Sequence, residues 1–105
     1  MYIEDLMRLA LIQAKKAYEK NEVPVGAIVV KDGKVIGKGF NQVITNNSVS
    51  SHAEIIAIND ASKTINNYRL ISCDIYVTLE PCHMCAKAIV DARFENLFFG
   101  ASEPK

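Results

Sequence analysis

Cys82 and Cys85 stand three positions apart in "LEPCHMCAKAI", directly after Pro81 and ahead of helix-forming residues. On a helix, positions i and i+3 share a face. The first turn also presents free amides and the positive end of the dipole, which lowers a thiol's pKa towards the thiolate. Three readings of the pair follow: half of a metal site, a thioredoxin-like redox pair at a strand–helix junction, or packed core cysteines. A metal site needs more ligands, and the chain has two histidines, His52 and His83. His83 lies between the cysteines and faces away from both, which suits a solvent-facing or pocket-rim residue better than a ligand. His52 opens "SSHAEIIAI" at the start of another helical pattern, with Glu54 two residues on. A lone histidine is usually structural, and Ser51-x-x-Glu54 by itself reads as a capping box. The joint occurrence changes that balance: His-x-Glu opens one helix and Pro-Cys-x-x-Cys opens another. One imidazole and two thiolates give tetrahedral zinc three protein ligands and leave a fourth position for water, the pattern of a catalytic site. Glu54 then supplies the general acid/base such a site needs. Residues i and i+2 of a helix point in roughly opposite directions, which argues against Glu54 as a second ligand.

These residues need helix starts held side by side, and the rest of the chain supplies an alternating pattern able to do it. Ile3, Leu6, Met7, Ala10, Ala14, Ala17 and Tyr18 recur at helical steps, so residues 2 to 20 read as an amphipathic helix that Asn21 terminates before Pro24. "VGAIVV" at 25 to 30 and "VIGKGF" at 35 to 40 read as strands joined by an Asp32-Gly33 hairpin turn. Gly37 and Gly39 weaken the second strand and mark a bulge or a close approach to a ligand. Residues 41 to 51 read as a polar loop, 51 to 65 as a helix closed by Asn66-Asn67, and "CDIYVTL" at 73 to 79 as a strand. Pro81 opens a helix running to about residue 93, and 95 to 100 read as a fourth strand. The order α-β-β-α-β-α-β predicts an α/β sheet between helices, with its last two strands parallel. Cys73, Tyr76, Phe98 and Phe99 are expected in the core, and Lys31, Lys34 and Lys38 near the hairpin are expected to be solvated.

At 105 residues the chain fits a single domain, 1–105, with one core. Twelve basic and twelve acidic side chains cancel, which excludes a global electrostatic drive towards nucleic acid and leaves any such binding to a local patch. Three cysteines are an odd number and a poor disulfide framework. The N-terminal "MYIEDLMRLALIQAKK" is neither a signal peptide nor a membrane span, so a reducing cytoplasm and no membrane partner are expected.

The pairing of His-x-Glu with Pro-Cys-x-x-Cys is the known signature of the zinc-dependent nucleoside and nucleobase deaminases, and the chain resembles that family. The blocks "VPVGAIVV", "GFN", "HAEIIAI", "NYRL", "IYVTLEPCHMC" and "FFGA" occur in the family's order over nearly the whole chain. They look most like the bacterial tRNA-specific adenosine deaminases. The resemblance implies a three-layer α-β-α cytidine-deaminase-like sandwich with a mixed sheet, and a homodimer. It implies that His52, Cys82 and Cys85 hold Zn2+ and that Glu54 shuttles protons. It also implies that Asn41 contacts the substrate nucleoside and that the backbones of Ala53 and Glu80 line the pocket. The reaction implied is attack of zinc-activated water on adenosine, giving inosine at the wobble position of a tRNA anticodon loop.

One departure stands out. The chain stops after its fourth strand, where family members continue with another strand and C-terminal helices. Ser102 and Glu103 fall where the family's RNA-contacting loop begins, so Glu103 is the last expected substrate contact. The fourth strand is then an unprotected edge. A C-terminally truncated domain is therefore expected, in which zinc binding survives better than tRNA deamination. Two alternatives stand beside tRNA editing: a deaminase of a free base or nucleoside of the cytosine or guanine type, and an inactive zinc-binding remnant.

Overall fold

"VGAIVV" and "CDIYVTL" are apolar at almost every position because the strands they form are covered on both faces. The computed structural model describes residues 2–102. Its elements are α1 (Ile3–Glu19), β1 (Gly26–Lys31), β2 (Lys34–Phe40), α2 (Ala53–Ile65), β3 (Cys73–Leu79), α3 (His83–Asp91) and β4 (Asn96–Ala101), in the order the sequence predicts. The sheet runs β2-β1-β3-β4, with β1 antiparallel to both neighbours and β4 parallel to β3. It is the expected mixed sheet. The parallel pair follows from α3, which carries the chain back between β3 and β4.

Alternation along β1 and β3 divides the core in two. Ile28, Val30 and Tyr76 pack with Leu6 and Ala10 of α1 on one face. Ala27, Val29, Ile75 and Val77 meet Ala53, Ala57 and Ala61 of α2 and Ile89 of α3 on the other. Tyr76 also stacks on Phe98 of β4, with ring centroids 4.7 Å apart. Cys73 is buried as expected, whereas Phe99 is exposed because β4 is an edge strand with little on its outer side.

Left-handed residues punctuate these elements at Asn, Asp and Gly, and also at Ser72 (φ 63°) before β3 and Arg93 (φ 69°) after α3. Asn21 (φ 60°) follows α1, Asn66 (φ 55°) ends α2, and Asp32 (φ 50°) with Gly33 (φ 76°) turns the hairpin. The register between β1 and β2 slips after Val29, leaving Ile36 as the extra residue of a bulge beside Gly37. The close approach expected at Gly37 and Gly39 comes from a helix and not from a ligand. A Cβ on Gly37 would meet the Ala57 carbonyl and Ala61 amide, and one on Gly39 the Ala53 carbonyl and Ala57 amide. These glycines let α2 lie directly on β2, which fixes where α2 begins. Among the described residues no helix is long and apolar enough to cross a membrane.

Candidate metal centre

Two helices start next to each other beyond the C-terminal end of β3, and each starts on a residue singled out by its chemistry. His52 is the N-cap of α2 (φ −76°, ψ 153°), and Cys82 is the N-cap of α3 (φ −71°, ψ 175°). Extended backbone at a cap turns the side chain away from the helix barrel, so both point into the space between the helix starts. Pro81 therefore precedes the cap, and α3 begins two residues later than the sequence suggests. Cys85 follows one turn into α3 and is fully buried. The Nδ1 of His52 lies 3.6 Å from Cys82 Sγ and 3.5 Å from Cys85 Sγ. All three donor atoms fall within 4.8 Å of one another.

Those spacings are a test of fit. With Zn–S about 2.3 Å and Zn–N about 2.05 Å, a tetrahedral ion holds a nitrogen and a sulfur ligand about 3.6 Å apart. The donor set matches zinc in atom type and number and in both nitrogen–sulfur separations. Burial pushes the Cys85 thiol well above its ordinary pKa, and the neighbouring Glu54 carboxylate and Cys82 push it further. This reverses, at Cys85, the lowering expected from the helix N-terminus. Without a cation the buried sulfur stays a thiol, so the cluster suits a metal better than a redox pair. His83, the other histidine, lies outside the donor cluster and lines the neighbouring cavity.

Glu54 is 4% exposed and belongs to the first turn of α2. The Ser51–Glu54 capping box does not form, because the cap is His52, one residue later. Asn41 takes over the capping work instead: its Oδ1 accepts the Ala53 amide at 2.8 Å in a buried bond from outside the helix. Burial raises the Glu54 carboxyl above the usual carboxylate range, against opposing hydrogen bonds from its own amide and from Cys85 and the pull of His52. A carboxyl whose neutral form is favoured by burial is the kind of group that general acid/base chemistry uses.

A cavity of about 710 Å3 opens onto the cluster. Asn41, His52, Glu54, Glu80, Cys82 and His83 line it with polar atoms, and Val23, Val25, Val43, Ile44, Leu79 and Pro81 with apolar ones. Of the residues expected at the site, Ala53 is not among those lining the cavity; it is fully buried with its amide bound to Asn41. Glu80 lines the cavity while its amide donates to the Ala101 carbonyl at 2.7 Å. Glu103 lies outside the described residues. Sequence reasoning missed Glu22, a buried carboxylate at the cavity wall that accepts bonds from Ile44 and Thr45. The one signal for it was an acidic residue between a helix terminator and "VPVG", facing a polar loop with amides to satisfy.

Helix starts that bring one imidazole, two thiols and a buried carboxyl to a single cavity form a candidate zinc site with a carboxyl beside it. The chain belongs to the cytidine and deoxycytidylate deaminase zinc-binding family, whose model matches residues 1–101. Within that family it is similar to tRNA-specific adenosine deaminases. It is 52% identical to that of Rickettsia bellii (strain RML369-C) over 101 residues, 94% of this chain and 70% of the relative. It is 51% identical to that of Buchnera aphidicola subsp. Schizaphis graminum over 96 residues, 91% of this chain and 64% of the relative. The chain thus spans about two thirds of the length of these relatives. Among solved structures, one from studies of A-to-I editing by tRNA:A34 deaminases superposes with a TM-score of 0.93 at 46% identity, covering 96% of this chain and 78% of that one. Guanine deaminase from Bacillus subtilis superposes with a TM-score of 0.94 at 38% identity, covering 97% and 66%.

Proposed function

We propose that this chain carries the catalytic centre of a hydrolytic adenosine deaminase that forms inosine at the wobble position of a tRNA anticodon loop. The observation that carries the reading is the His52 Nδ1 within 3.6 Å of both cysteine sulfurs, with buried Glu54 beside it at the cavity wall. The relatives named for tRNA adenosine deamination, about half identical to this chain, support the choice of substrate.

In this reading His52, Cys82 and Cys85 hold zinc. The bound ion would supply Lewis acidity and lower the pKa of a water towards neutrality. Glu54 would accept a proton from the attacking water and pass it on as the oxygen bonds to C6 of adenine and the C6–N bond breaks, so that one water proton ends on N1 and the other on the departing ammonia. Water and adenosine are consumed, and inosine and ammonia are produced. Asn41 spends its carbonyl oxygen on the Ala53 amide, so its NH2 is the group left to orient the nucleoside. Leu79, Val25 and Pro81 give the base apolar surface. A homodimer acting in the cytoplasm completes the reading.

A second substrate class is favoured by one feature. Among the described residues no lysine or arginine lines the cavity, and phosphate contacts supply much of the affinity of proteins for nucleic acid. A free purine of the guanine type would need none. Incubation of the zinc-loaded chain with tRNA, guanine and cytosine, followed by inosine and ammonia assays, separates the two. Inosine in tRNA, lost by roughly 10²- to 10⁴-fold in Glu54→Ala with zinc retained, is the expected result. Ammonia from guanine alone would transfer the reading to a free-base enzyme. A zinc-loaded chain inert on all three would leave a metal-binding remnant.

A further inference from the structure

A buried carboxylate with no chemistry assigned to it stands at the wall of the cavity. Glu22 is 6% exposed, sits between the end of α1 and β1, and has its amide tied back to the Ala17 carbonyl at 2.9 Å. Its side chain reaches across to the loop between β2 and α2. Oε1 accepts the Ile44 amide at 3.1 Å, and Oε2 accepts both the Thr45 amide and the Thr45 hydroxyl at 2.7 Å. Three donors converge on one carboxylate, and all three come from two consecutive residues more than twenty positions away in sequence.

The segment held in this way matters for its place. Val43 and Ile44 line the cavity, as does Val23, next to Glu22 in the chain. Ile44 is 72% exposed and Val23 is 62% exposed, so both offer apolar surface that a ligand could cover. Loop backbone at a cavity mouth opens readily unless something outside the loop fixes it. Charge-assisted hydrogen bonds are the stronger kind, and here they fasten the loop to the end of α1.

We infer that Glu22 is a positioning residue: by clamping residues 44 and 45 it sets the Val23 and Ile44 wall against which a bound nucleoside rests. The inference builds on the deaminase reading of the same cavity, but its tests do not require turnover. Among the described residues the side-chain hydrogen bonds of Glu22 go to Ile44 and Thr45 and not to the candidate metal ligands or Glu54, so its effect falls on binding before chemistry.

The experiment compares the zinc-loaded chain with Glu22→Gln, which keeps the shape but turns an NH2 towards a donor, and with Glu22→Ala. Zinc content at one equivalent and an unchanged circular dichroism spectrum would establish that each variant is folded. Amide hydrogen exchange at residues 44 and 45 is expected to speed by about tenfold or more, with exchange in β1 and α2 unaltered. Methyl NMR titration with inosine is expected to shift Val23 and Ile44 in the parent chain and to require several-fold more inosine in the variants. On tRNA, KM should rise with kcat nearly unchanged.

Parent-like exchange at residues 44 and 45 in both variants would overturn the clamp. Faster exchange with undiminished inosine binding would overturn the positioning role, as would a parent chain whose Val23 and Ile44 methyls ignore inosine. Absence of turnover in the parent chain with inosine binding intact would count against the deaminase reading alone.

Discussion

His52 Nδ1 and Cys82 Sγ lie 3.6 Å apart although thirty positions separate them in sequence, because each residue is the N-cap of a helix and the two helix starts adjoin. Cap geometry aims both side chains out of their helices and towards each other, and Cys85 completes the set from one turn further along α3. The site is therefore built by the docking of α2 and α3 on one face of the sheet.

Metal removal tests that construction. The chain is expected to bind one zinc, and His52→Ala or Cys82→Ala to bind none under the same conditions, as read by elemental analysis. Metal bound only by the folded state stabilises it by about 4 kcal/mol when free zinc exceeds its Kd a thousandfold. Chelation should therefore shift the urea midpoint of the parent chain and leave that of the His52→Ala variant in place.

Asn41 joins the site to the fold. Its Oδ1 is the acceptor for the first amide of α2, so Asn41→Ala removes a helix cap whose side chain comes from another part of the chain. A loss of about 1 kcal/mol in urea unfolding is expected, in the range of lost N-caps. Zinc content should persist, since His52 remains the cap residue.

Two glycines make opposite predictions. Gly39→Ala would drive a Cβ into the Ala53 carbonyl and the Ala57 amide, both backbone of α2, and the helix would have to move. A cost of about 1–3 kcal/mol is expected, with weaker zinc binding because His52 and Glu54 ride on that helix start. Gly33→Ala meets no atom within 4 Å but places a side chain at φ +76°. It should cost about 1–2 kcal/mol through backbone strain and leave zinc binding intact. Paired urea and zinc titrations of the two variants read the difference.

Glu22 gives a pH dependence. Burial pushes its carboxyl up, but the Thr45 hydroxyl and the Thr45 and Ile44 amides outweigh burial, and its pKa ends below the usual value. A carboxyl whose folded pKa lies under its unfolded pKa contributes stability above the unfolded value of about 4.3, and loses it as pH falls through the folded one. The stability gap between the parent chain and Glu22→Gln should therefore be flat above about pH 5 and close below about pH 4. Urea midpoints of both proteins across that range check it. A gap that widened on acidification would contradict the hydrogen-bonded carboxylate.

What could be read from residue types alone was whatever depends on near neighbours. Helical steps in 2 to 20, the apolar runs of β1 and β3, Asp32-Gly33 and the terminators Asn21 and Asn66 encode the element order, because dihedral preference and burial pattern act over a few residues. The candidate metal ligands were legible as two short signatures for the same reason. Their meeting was not, since nothing local to His52 specifies its distance from Cys82. Contacts across the chain decided the rest. Asn41 supplied the capping acceptor that the Ser51-x-x-Glu54 pattern taken by itself offered, and Gly37 and Gly39 served a helix and not a ligand. Burial raised the Cys85 thiol against the helix dipole, and Glu22 found its donors in a distant loop. Each of these depends on the environment that packing creates, and burial, desolvation and long-range hydrogen bonds exist only once the layers have closed.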